Sequence, residues 1–419
     1  MNTQFYKNVE IIDKVIKKEK ISSNEINLIL NYVSEEKYSR YFFNKLDNPS
    51  WIEPLYEKGM FYKIPSIIEI KPGTIICPDW PAGKYLARFA DQFEDIIIDL
   101  IQNTITENYR VQEIFIDCLL KISPINIAKI IPKTDSWLDG RFSQMLPIKL
   151  QQLSEYLIVN GFPNEAIQIL EYVIKPVLKL DKGELSQYFP PLQFRSDHYW
   201  VNDYLENQIP KLLKVKALET IEAFQIQLMN TIDLVKQKFP EDVENRIGYW
   251  WRIEISKNIF NRNDYDVLDI LIDGLRDGML ELCSQSILSC QKIIESQYYS
   301  NHIIFRRIAL YILRVHGEKN KNLLEKAFLN EDFLHIEEFR KDYCGLLRDQ
   351  FKSISTECRE KVISFILEGP RDIDQRAKRY AQFENREVSE KDRQIVQEKW
   401  KLYHLEILKD FLSGILFHI

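Results

Sequence analysis

Hydrophobic residues recur at helical spacing along almost the whole chain. Apolar side chains occupy positions i, i+3, i+4, i+7 and i+8 in three clear stretches, which are Phe93, Ile96, Ile97, Leu100 and Ile101; Val111, Ile114, Phe115, Cys118 and Leu119; and Phe305, Ile308, Ala309, Ile312 and Leu313. Only one face of an α-helix gathers such positions, so each stretch predicts an amphipathic helix with one buried side. The pattern therefore predicts an all-α protein.

Turn and capping residues separate these stripes by short connections. The sequence Gly161-Phe162-Pro163 ends one helix and begins the next within three residues, which predicts an antiparallel pair of helices near 150–160 and 164–180. Pairs of helices that cannot bury their stripes alone stack into α-solenoids. No strict sequence repeat recurs at a fixed period, so we expect a degenerate HEAT-like α-solenoid of stacked antiparallel helix pairs.

The same pattern divides the chain into four segments. Residues 1–92 form an irregular helical N-terminal cap, 93–180 a first helical-repeat segment, 181–197 a loop or hinge, and 198–419 a second helical-repeat segment with a charge-rich connection at 371–399. Mixed charges of this density are typical of a solvated helix or a mobile connection.

The N-terminal cap contains the only strand-like passage, within residues 66–80. Apolar runs at 67–70 and 74–77 flank Lys71-Pro72-Gly73, which predicts either a small hairpin or an extended loop. Three large rings surround this passage, and we expect Trp51, Trp80 and Tyr85 to pack together and fix the cap over the first regular helices.

Composition narrows the classes of partner. The formal net charge of −6 argues against a broad basic surface for duplex nucleic acid or for an anionic membrane. No run approaches the roughly 18 apolar residues of a membrane span, and the first twenty residues lack the apolar core of a signal peptide. Thirteen glycines in 419 residues also leave little room for glycine-rich phosphate loops.

The cysteines point to a reducing compartment. The chain has six, with no Cys-x-x-Cys spacing: Cys77, Cys118, Cys283, Cys290, Cys344 and Cys358. Cys283 and Cys290 are seven residues apart and share a helix face if that helix is continuous, but two thiols without a nearby histidine make a poor metal site. We therefore expect buried free thiols, no metal and a cytoplasmic protein.

No catalytic motif is present. The chain lacks a Walker loop, a Gly-x-Ser-x-Gly elbow, a His-Glu-x-x-His sequence and a paired-cysteine motif, and its six histidines are far apart in the sequence. We expect no catalytic residues and no bound cofactor, which favours a protein that is not an enzyme over an enzyme whose active site is formed by residues distant in the sequence.

Two clusters are candidate partner-binding sites. Trp250 and Trp251 must point to different faces of a helix, with Arg252 beside them. One is core, and the other is core, an exposed anchor for a partner or a stacking platform for a base. Arg306 and Arg307 begin the clearest basic stretch, which could meet phosphates or form a polar helix face.

The C-terminal residues form a third candidate. Phe411 and Leu412 belong to an apolar stripe that continues almost to the final residue. A solenoid normally ends in a helix with a polar outer face. The stripe therefore indicates a helix that folds back on its neighbours or one that docks on another subunit or domain.

Several short sequence motifs, taken together, resemble those of a known protein family. They are Tyr41-Phe42-Phe43-Asn44-Lys45-Leu46, Trp51-Ile52-Glu53-Pro54-Leu55, Gly59-Met60-Phe61, Trp80-Pro81-Ala82, Tyr85-Leu86-Ala87-Arg88, Trp251-Arg252, Leu275-Arg276-Asp277, Phe305-Arg306-Arg307-Ile308-Ala309 and Gly345-Leu346-Leu347-Arg348. This set, over residues 35–370, resembles the helical region of large bacterial proteins, some of which carry an NTPase or effector domain and are linked to anti-phage defence. The family has a more acidic, histidine-containing stretch where this chain has Glu254-Ile255-Ser256-Lys257-Asn258.

Three functions follow as hypotheses, of which the third, a cryptic hydrolase or nuclease, is the one that the missing motifs disfavour most. The first is a non-enzymatic helical-repeat scaffold or sensor that binds a protein partner, for which the resemblance implies bacterial anti-phage defence. The second is a nucleic-acid-binding solenoid like the helical-repeat DNA glycosylases, which requires a basic concave face. The acidic net charge favours the first.

Overall fold

The computed structural model describes residues 3–18, 21–72, 74–140, 146–178, 192–250, 252–256, 266–383 and 385–416. The protein is 75% helical, and over these ranges it has 23 helices and two very small sheets. The prediction of an all-α protein is confirmed. Within the same ranges, no helix has both the length and the apolar character needed to cross a membrane.

The chain divides into two compact units. The first contains Met1–Lys175 and Phe194–Ala223, and the second contains Pro176–Gln193 and Phe224–Ile419. This division differs from the four expected segments, because residues 198–223 join the N-terminal unit. Of the expected loop or hinge at 181–197, residues 181–191 lie outside the described residues.

The first unit is built mainly from short helices. They are α1 (Thr3–Ile16), α2 (Ser23–Tyr32), α3 (Glu36–Lys45), α4 (Ile52–Glu57), α5 (Pro81–Arg88), α6 (Glu94–Asn103), α7 (Tyr109–Leu119), α8 (Pro124–Ile127), α9 (Ile131–Trp137), α10 (Leu146–Val159) and α11 (Pro163–Val173). Strands β1 (Ile68–Lys71) and β2 (Thr74–Ile76) pair antiparallel between α4 and α5, which confirms the hairpin and excludes the extended loop.

Local sequence explains several helix ends in this unit. Ser22 and Glu25 form the capping box at the start of α2. Pro81, Pro124 and Pro163 each occupy the first turn of a helix, where the missing N–H costs no hydrogen bond. Gly161 has φ of 85° between α10 and α11, and these two helices pack against each other as predicted.

The predicted helix at 164–180 is wrong in its second half. Helix α11 ends at Val173, and residues Pro176–Leu178 form strand β3 instead of continuing the apolar helix face. Pro176 supplies the physical reason, since it has no N–H to donate and disfavours the helical conformation of the residue before it. Strand β3 pairs with β4 (Leu192–Phe194) in the second small sheet.

The three expected rings of the cap belong to two aromatic groups. Trp51 contacts Phe42, whose neighbour Phe43 contacts Tyr85, with ring centroids 5.5 and 5.8 Å apart. Trp80 packs on Phe115 instead, at 5.5 Å. The prediction of one cluster therefore holds for Trp51 and Tyr85, and Trp80 stabilises the contact of α5 with α7.

The second unit contains longer helices. Helix α12 (His198–Lys238) begins in the first unit and enters the second, with non-helical dihedral angles at Lys216 (φ −149°, ψ 61°). The others are α13 (Val243–Asn245), α14 (Val267–Gln285), α15 (Ile287–Tyr298), α16 (Ile303–His316), α17 (Lys321–Leu329), α18 (Glu331–His335), α19 (Glu337–Gln350), α20 (Thr356–Glu368), α21 (Ile373–Phe383), α22 (Glu390–Ile407) and α23 (Lys409–Leu416). The charge-rich segment 371–399 thus consists largely of α21 and the start of α22.

The expectation of free, buried cysteines is partly wrong. Cys283 and Cys290 form a disulfide between α14 and α15, with Cα atoms 4.4 Å apart. The two sulfur atoms meet because the chain turns at Ser286, which caps α15. Cys118, Cys344 and Cys358 are free and buried, and Cys77 is free but only half-buried.

Candidate functional site

Arg307 lies at the centre of the second unit, fully buried on α16. Its Nε atom donates to Asp342 Oδ2 of α19 at 2.6 Å. Its two terminal nitrogens donate to the backbone carbonyls of Gly248, Arg252 and Ile253. Asp342 also accepts a hydrogen bond from the Ile255 N–H at 3.1 Å. The pair therefore ties residues 248–255 to α16 and α19.

Arg252 and Arg276 extend this network. Arg252 donates to Asp273 at 2.6 Å and to the carbonyls of Ile255 and Ser256. Arg276, on α14 with Asp273, donates to the Ile255 carbonyl at 3.0 Å. Buried guanidinium groups require such partners, because an unpaired buried charge is very costly. We call Arg252, Arg276, Arg307, Asp273 and Asp342 the arginine network.

The arginine network determines where the expected site residues lie. Arg252 and Arg307 lie inside the unit, bound to carbonyls and carboxylates of this chain, so the predicted basic stretch is not one surface. Arg306 is part-exposed, with its guanidinium 4.9 Å from the Phe333 ring and 4.8 Å from the Phe339 ring. Trp250 ends a short π-helix (Arg246–Trp250), and Trp251 lies outside the described residues.

The C-terminal candidates fold back onto their own unit. The Phe411 ring lies 5.0 Å from the Phe351 ring, edge to face, with the Arg359 guanidinium 5.2 Å away. Both Phe411 and Leu412 remain part-exposed. Of the two alternatives for this stripe, the contacts of Phe411 match the fold-back.

The hairpin of the first unit carries exposed apolar side chains. Ile68 and Ile76 are cross-strand partners and so share one face of the hairpin. Their exposed fractions are 53% and 48%, and that of Ile70, beside an irregularity in the pairing, is 55%. We call Ile68, Ile70 and Ile76 the isoleucine ridge.

A buried asparagine holds the base of this hairpin. Asn108 Nδ2 donates to the carbonyl oxygens of Pro65 at 3.0 Å and Pro78 at 2.9 Å, one on each side of the hairpin. Its Oδ1 accepts from the Arg110 N–H and so caps α7. Asn108 therefore holds both sides of the hairpin at its base, and the isoleucine ridge is exposed on a hairpin that is tied to the first unit.

A second surface feature is a pocket where α19, α21 and α22 meet. It has a volume of about 440 Å³, and its lining includes Glu337, Arg340, Arg376, Arg379, Tyr380, Val396, Lys399, Trp400, Tyr403 and His404. On α21 the lining residues have the spacing i, i+3 and i+4, and on α22 i, i+3, i+4, i+7 and i+8. Each helix thus presents one face, and we call the site the cationic pocket.

The rim of the cationic pocket has more cations than carboxylates. Arg376 donates to Asp372 at 2.6 Å, while Arg379 lies 3.6 Å from Asp372 and 3.8 Å from Glu337. Arg340 lies 3.7 Å from Glu337. The Lys399 ammonium sits 4.5 Å from the centre of the Tyr380 ring. Three arginines therefore share two carboxylates, and the Lys399 ammonium lies on an aromatic ring, which leaves an excess positive charge at the rim.

His404 forms part of the floor of the cationic pocket and should make stability depend on pH. Burial is the main cause that lowers its pKa from 6.5 to about 4, and Arg340 adds to the effect. Below pH 6.5 the unfolded chain binds a proton at His404 that the folded protein does not bind. The free energy of unfolding is therefore unaffected by His404 above pH 6.5 and falls as the pH is lowered toward 4. We expect His404 to lower the free energy of unfolding by roughly 2 kcal/mol between pH 7 and 5.

Urea unfolding at several pH values measures this effect. His404→Asn keeps a side-chain donor near the Trp400 carbonyl and does not titrate, so its stability should fall less over the same range. An equal fall in the variant and the parent protein would contradict the assignment to His404.

Comparisons with known proteins find a similarity over part of the chain and no matching family or structure. No protein-family profile matches the chain, and no solved structure matches it. A stretch of 167 residues is 25% identical to the mitochondrial 15S rRNA processing factor CCM1 of Scheffersomyces stipitis. The match covers 40% of this chain and 21% of that protein, so the chain spans about a fifth of the length of this relative.

Sequence reasoning missed both the cationic pocket and the isoleucine ridge as sites. Half of the pocket residues, from Arg376 to Lys399, fall in the segment interpreted as a solvated connection, although the helical spacing of Arg376, Arg379 and Tyr380 was a usable signal. The hairpin was predicted, but exposure of its isoleucines on a two-stranded ribbon was not.

Proposed function

We propose that this chain is a non-enzymatic helical-repeat protein of the HEAT-like α-solenoid type, a scaffold or sensor that binds a protein partner through the isoleucine ridge. The observation that carries this proposal is the exposure of Ile68, Ile70 and Ile76 on a hairpin held at its base by Asn108. Contiguous apolar side chains in water are typical of interaction sites.

The pairing of the strands supports a protein rather than a small molecule as the partner. Among the described residues, β1 and β2 pair only with each other, so each presents an outer edge. Such an edge can accept a further strand from another chain. A cavity of about 910 Å³ beside the ridge, lined in part by Arg40, Tyr109 and Arg110, would receive its side chains.

The helical-repeat part of the proposal is supported by the succession of helices. Helices α14, α15 and α16 pack on one another in chain order, as do α10 and α11. This is the arrangement in repeat proteins, which use their extended surfaces for binding. A role in bacterial anti-phage defence rests on the sequence resemblance alone and is part of the same proposal.

A charge placed on the ridge tests the proposal. The double variant Ile68→Glu/Ile76→Glu should lose the partners that the parent protein captures from its native host, with and without phage infection. Both side chains are half-exposed, so the free energy of unfolding should change by no more than about 0.5 kcal/mol each. The matched control is Val159→Glu at the end of α10, an apolar residue that is 78% exposed in the same unit. Equal recovery of partners by the double variant would refute the proposal.

A second candidate function is RNA binding, which the similarity to an rRNA processing factor favours. The net charge of −6 opposes it. Fluorescence anisotropy with single-stranded RNA at several salt concentrations distinguishes the two, because phosphate contacts weaken steeply with salt.

A further inference from the structure

A second open pocket of the second unit, with a volume of about 610 Å³, lies where α15 turns into α16 and α17 turns into α18. At both turns one helix ends and the next begins, so opposed helix dipoles leave the side chains to set the charge. Among the described residues that line it there are two cations and no carboxylate. We call this site the Arg306 pocket, and its lining is Tyr298, Tyr299, Ser300, Asn301, Arg306, Lys326, Leu329 and Asn330.

The guanidinium of Arg306 is held in place but has no hydrogen-bond acceptor. Its central carbon lies 4.9 Å from the centre of the Phe333 ring and 4.8 Å from that of Phe339, and both rings are buried. The rings attract the charge but provide no oxygen atom for the N–H groups. Within the described residues the side chain donates no hydrogen bond and forms no ion pair. None of its nitrogen atoms is a buried atom without a partner, so the N–H groups are accessible to a ligand.

Lys326 supplies the second positive charge of the pocket. It is exposed on α17, and its ammonium lies 3.5 Å from the hydroxyl oxygen of Tyr299. The carboxylates of Glu331 and Asp332, which follow the pocket in the chain, pair with Arg371 at 2.6 and 3.3 Å instead. Within the described residues, neither Lys326 nor the guanidinium of the pocket has a carboxylate within ion-pair distance. An anionic ligand would therefore meet two accessible cations without displacing a carboxylate of this chain.

Tyr299 gives the pocket an exposed aromatic wall. Its ring is 61% exposed and stands edge to face on the Tyr298 ring, with centroids 4.9 Å apart. Tyr298 is itself buried and packs on Phe333 at 5.6 Å, so the exposed ring rests on the core of the unit. A planar group can stack against such a ring. The volume of the pocket exceeds that of a simple anion and is within the range of small-molecule sites.

We propose that the Arg306 pocket binds a phosphate monoester that carries a planar ring, with the phosphate on Arg306 and Lys326 and the ring against Tyr299. A phosphate monoester has a charge of about −1.5 to −2 at pH 7, which matches two cations, whereas a carboxylate has a single charge. The planar guanidinium also matches the spacing of phosphate oxygens. This proposal does not depend on partner binding by the isoleucine ridge.

Isothermal titration calorimetry on the full chain tests the proposal. The probes are phenyl phosphate, inorganic phosphate and benzoate. Phenyl phosphate should bind most tightly, because inorganic phosphate lacks the ring and benzoate has only one charge. A nucleoside monophosphate and a short phosphotyrosine peptide then distinguish a free small molecule from a phosphorylated side chain of a protein, and the tighter of the two identifies the source of the same chemistry. The proposal is overturned if phenyl phosphate does not bind, or if benzoate binds equally tightly.

Variants of the three contact residues locate the binding site. Lys326→Glu, on an exposed side chain, and Arg306→Gln should each weaken phenyl phosphate and inorganic phosphate about tenfold or more. Tyr299→Ala should weaken phenyl phosphate and leave inorganic phosphate unchanged. Lys321→Glu is the matched control, because it makes the same change of charge at an exposed residue of α17 outside the pocket. Equal losses of affinity in Lys321→Glu and Lys326→Glu would show that phosphate responds to net charge alone and would overturn the proposal.

Discussion

Replacing Asp342 with alanine should lower the free energy of unfolding by about 3–5 kcal/mol. The substitution leaves the fully buried Arg307 without the carboxylate that lies 2.6 Å from its Nε atom, and the Ile255 N–H without that acceptor. Burial also raises the pKa of Asp342, which Arg307 opposes, so each charge of the pair depends on the other. Denaturation in urea measures the loss.

Two comparisons make this result specific to the buried pair. Asp349→Ala removes the carboxylate that pairs with the part-exposed Arg314, and it should cost less than about 1 kcal/mol. Arg307→Met/Asp342→Leu should remain destabilised, because the carbonyls of Gly248 and Arg252 then lose their donor. A loss for Asp342→Ala as small as that for Asp349→Ala would show that the pair does not hold the unit together.

Replacing Trp80 with alanine should also lower the free energy of unfolding by a large amount, about 3–5 kcal/mol. The ring is 2% exposed, packs on Phe115 and covers Gly83, where an added Cβ atom would lie 2.0 Å from a ring atom. Alanine leaves a cavity that the helices α5 and α7 cannot close without moving. Trp80→Phe keeps part of the contact and should cost less.

The matched comparison for Trp80 is an exposed ring in the same unit. Tyr199→Ala removes a side chain that is 63% exposed at the start of α12, and its effect should be within about 0.5 kcal/mol. Urea denaturation of both variants gives the difference. A loss below about 1 kcal/mol for Trp80→Ala is incompatible with a buried ring.

The apolar stripes predicted the helices because they depend on local spacing alone. Phe305, Ile308 and Ile312 are buried in α16 as expected, although the buried surface of this helix extends beyond the predicted face. Helix ends followed wherever a proline or glycine set the backbone, as at Pro163 and Gly161. Where a proline was overlooked, at Pro176, the predicted helix was too long.

The environment of Arg307 could not be found by the same reasoning. Arginine is rarely buried, and its partner Asp342 is 35 residues further along the chain. One signal was available, because α16 has apolar residues around most of its circumference and a helix of that kind is surrounded by protein. A charge on such a helix must be paired, although the sequence does not name the partner.

The cationic pocket also could not be predicted from the sequence. Its helices were predictable only as charged segments, since charge patterns favour solvent. That Trp400 and His404 are buried follows from the packing of α22 on α19 and α21, and this is tertiary information.

The discontinuous first unit has a consequence for synthesis of the protein on the ribosome. This unit needs Phe194–Ala223 in addition to Met1–Lys175, and Arg195 bonds back to Asp135 and to the Tyr172 carbonyl. At roughly 5–20 residues per second, the wait between residues 175 and 223 is about 2–10 s. During that interval Asp135 of the nascent chain lacks its partner Arg195, and Ser154 lacks its hydrogen-bond partner Tyr204. The first unit can therefore be completed only after the first part of α12 has emerged from the ribosome. A ribosome pause within 194–223 would lengthen the period in which chaperones and proteases can reach the incomplete unit.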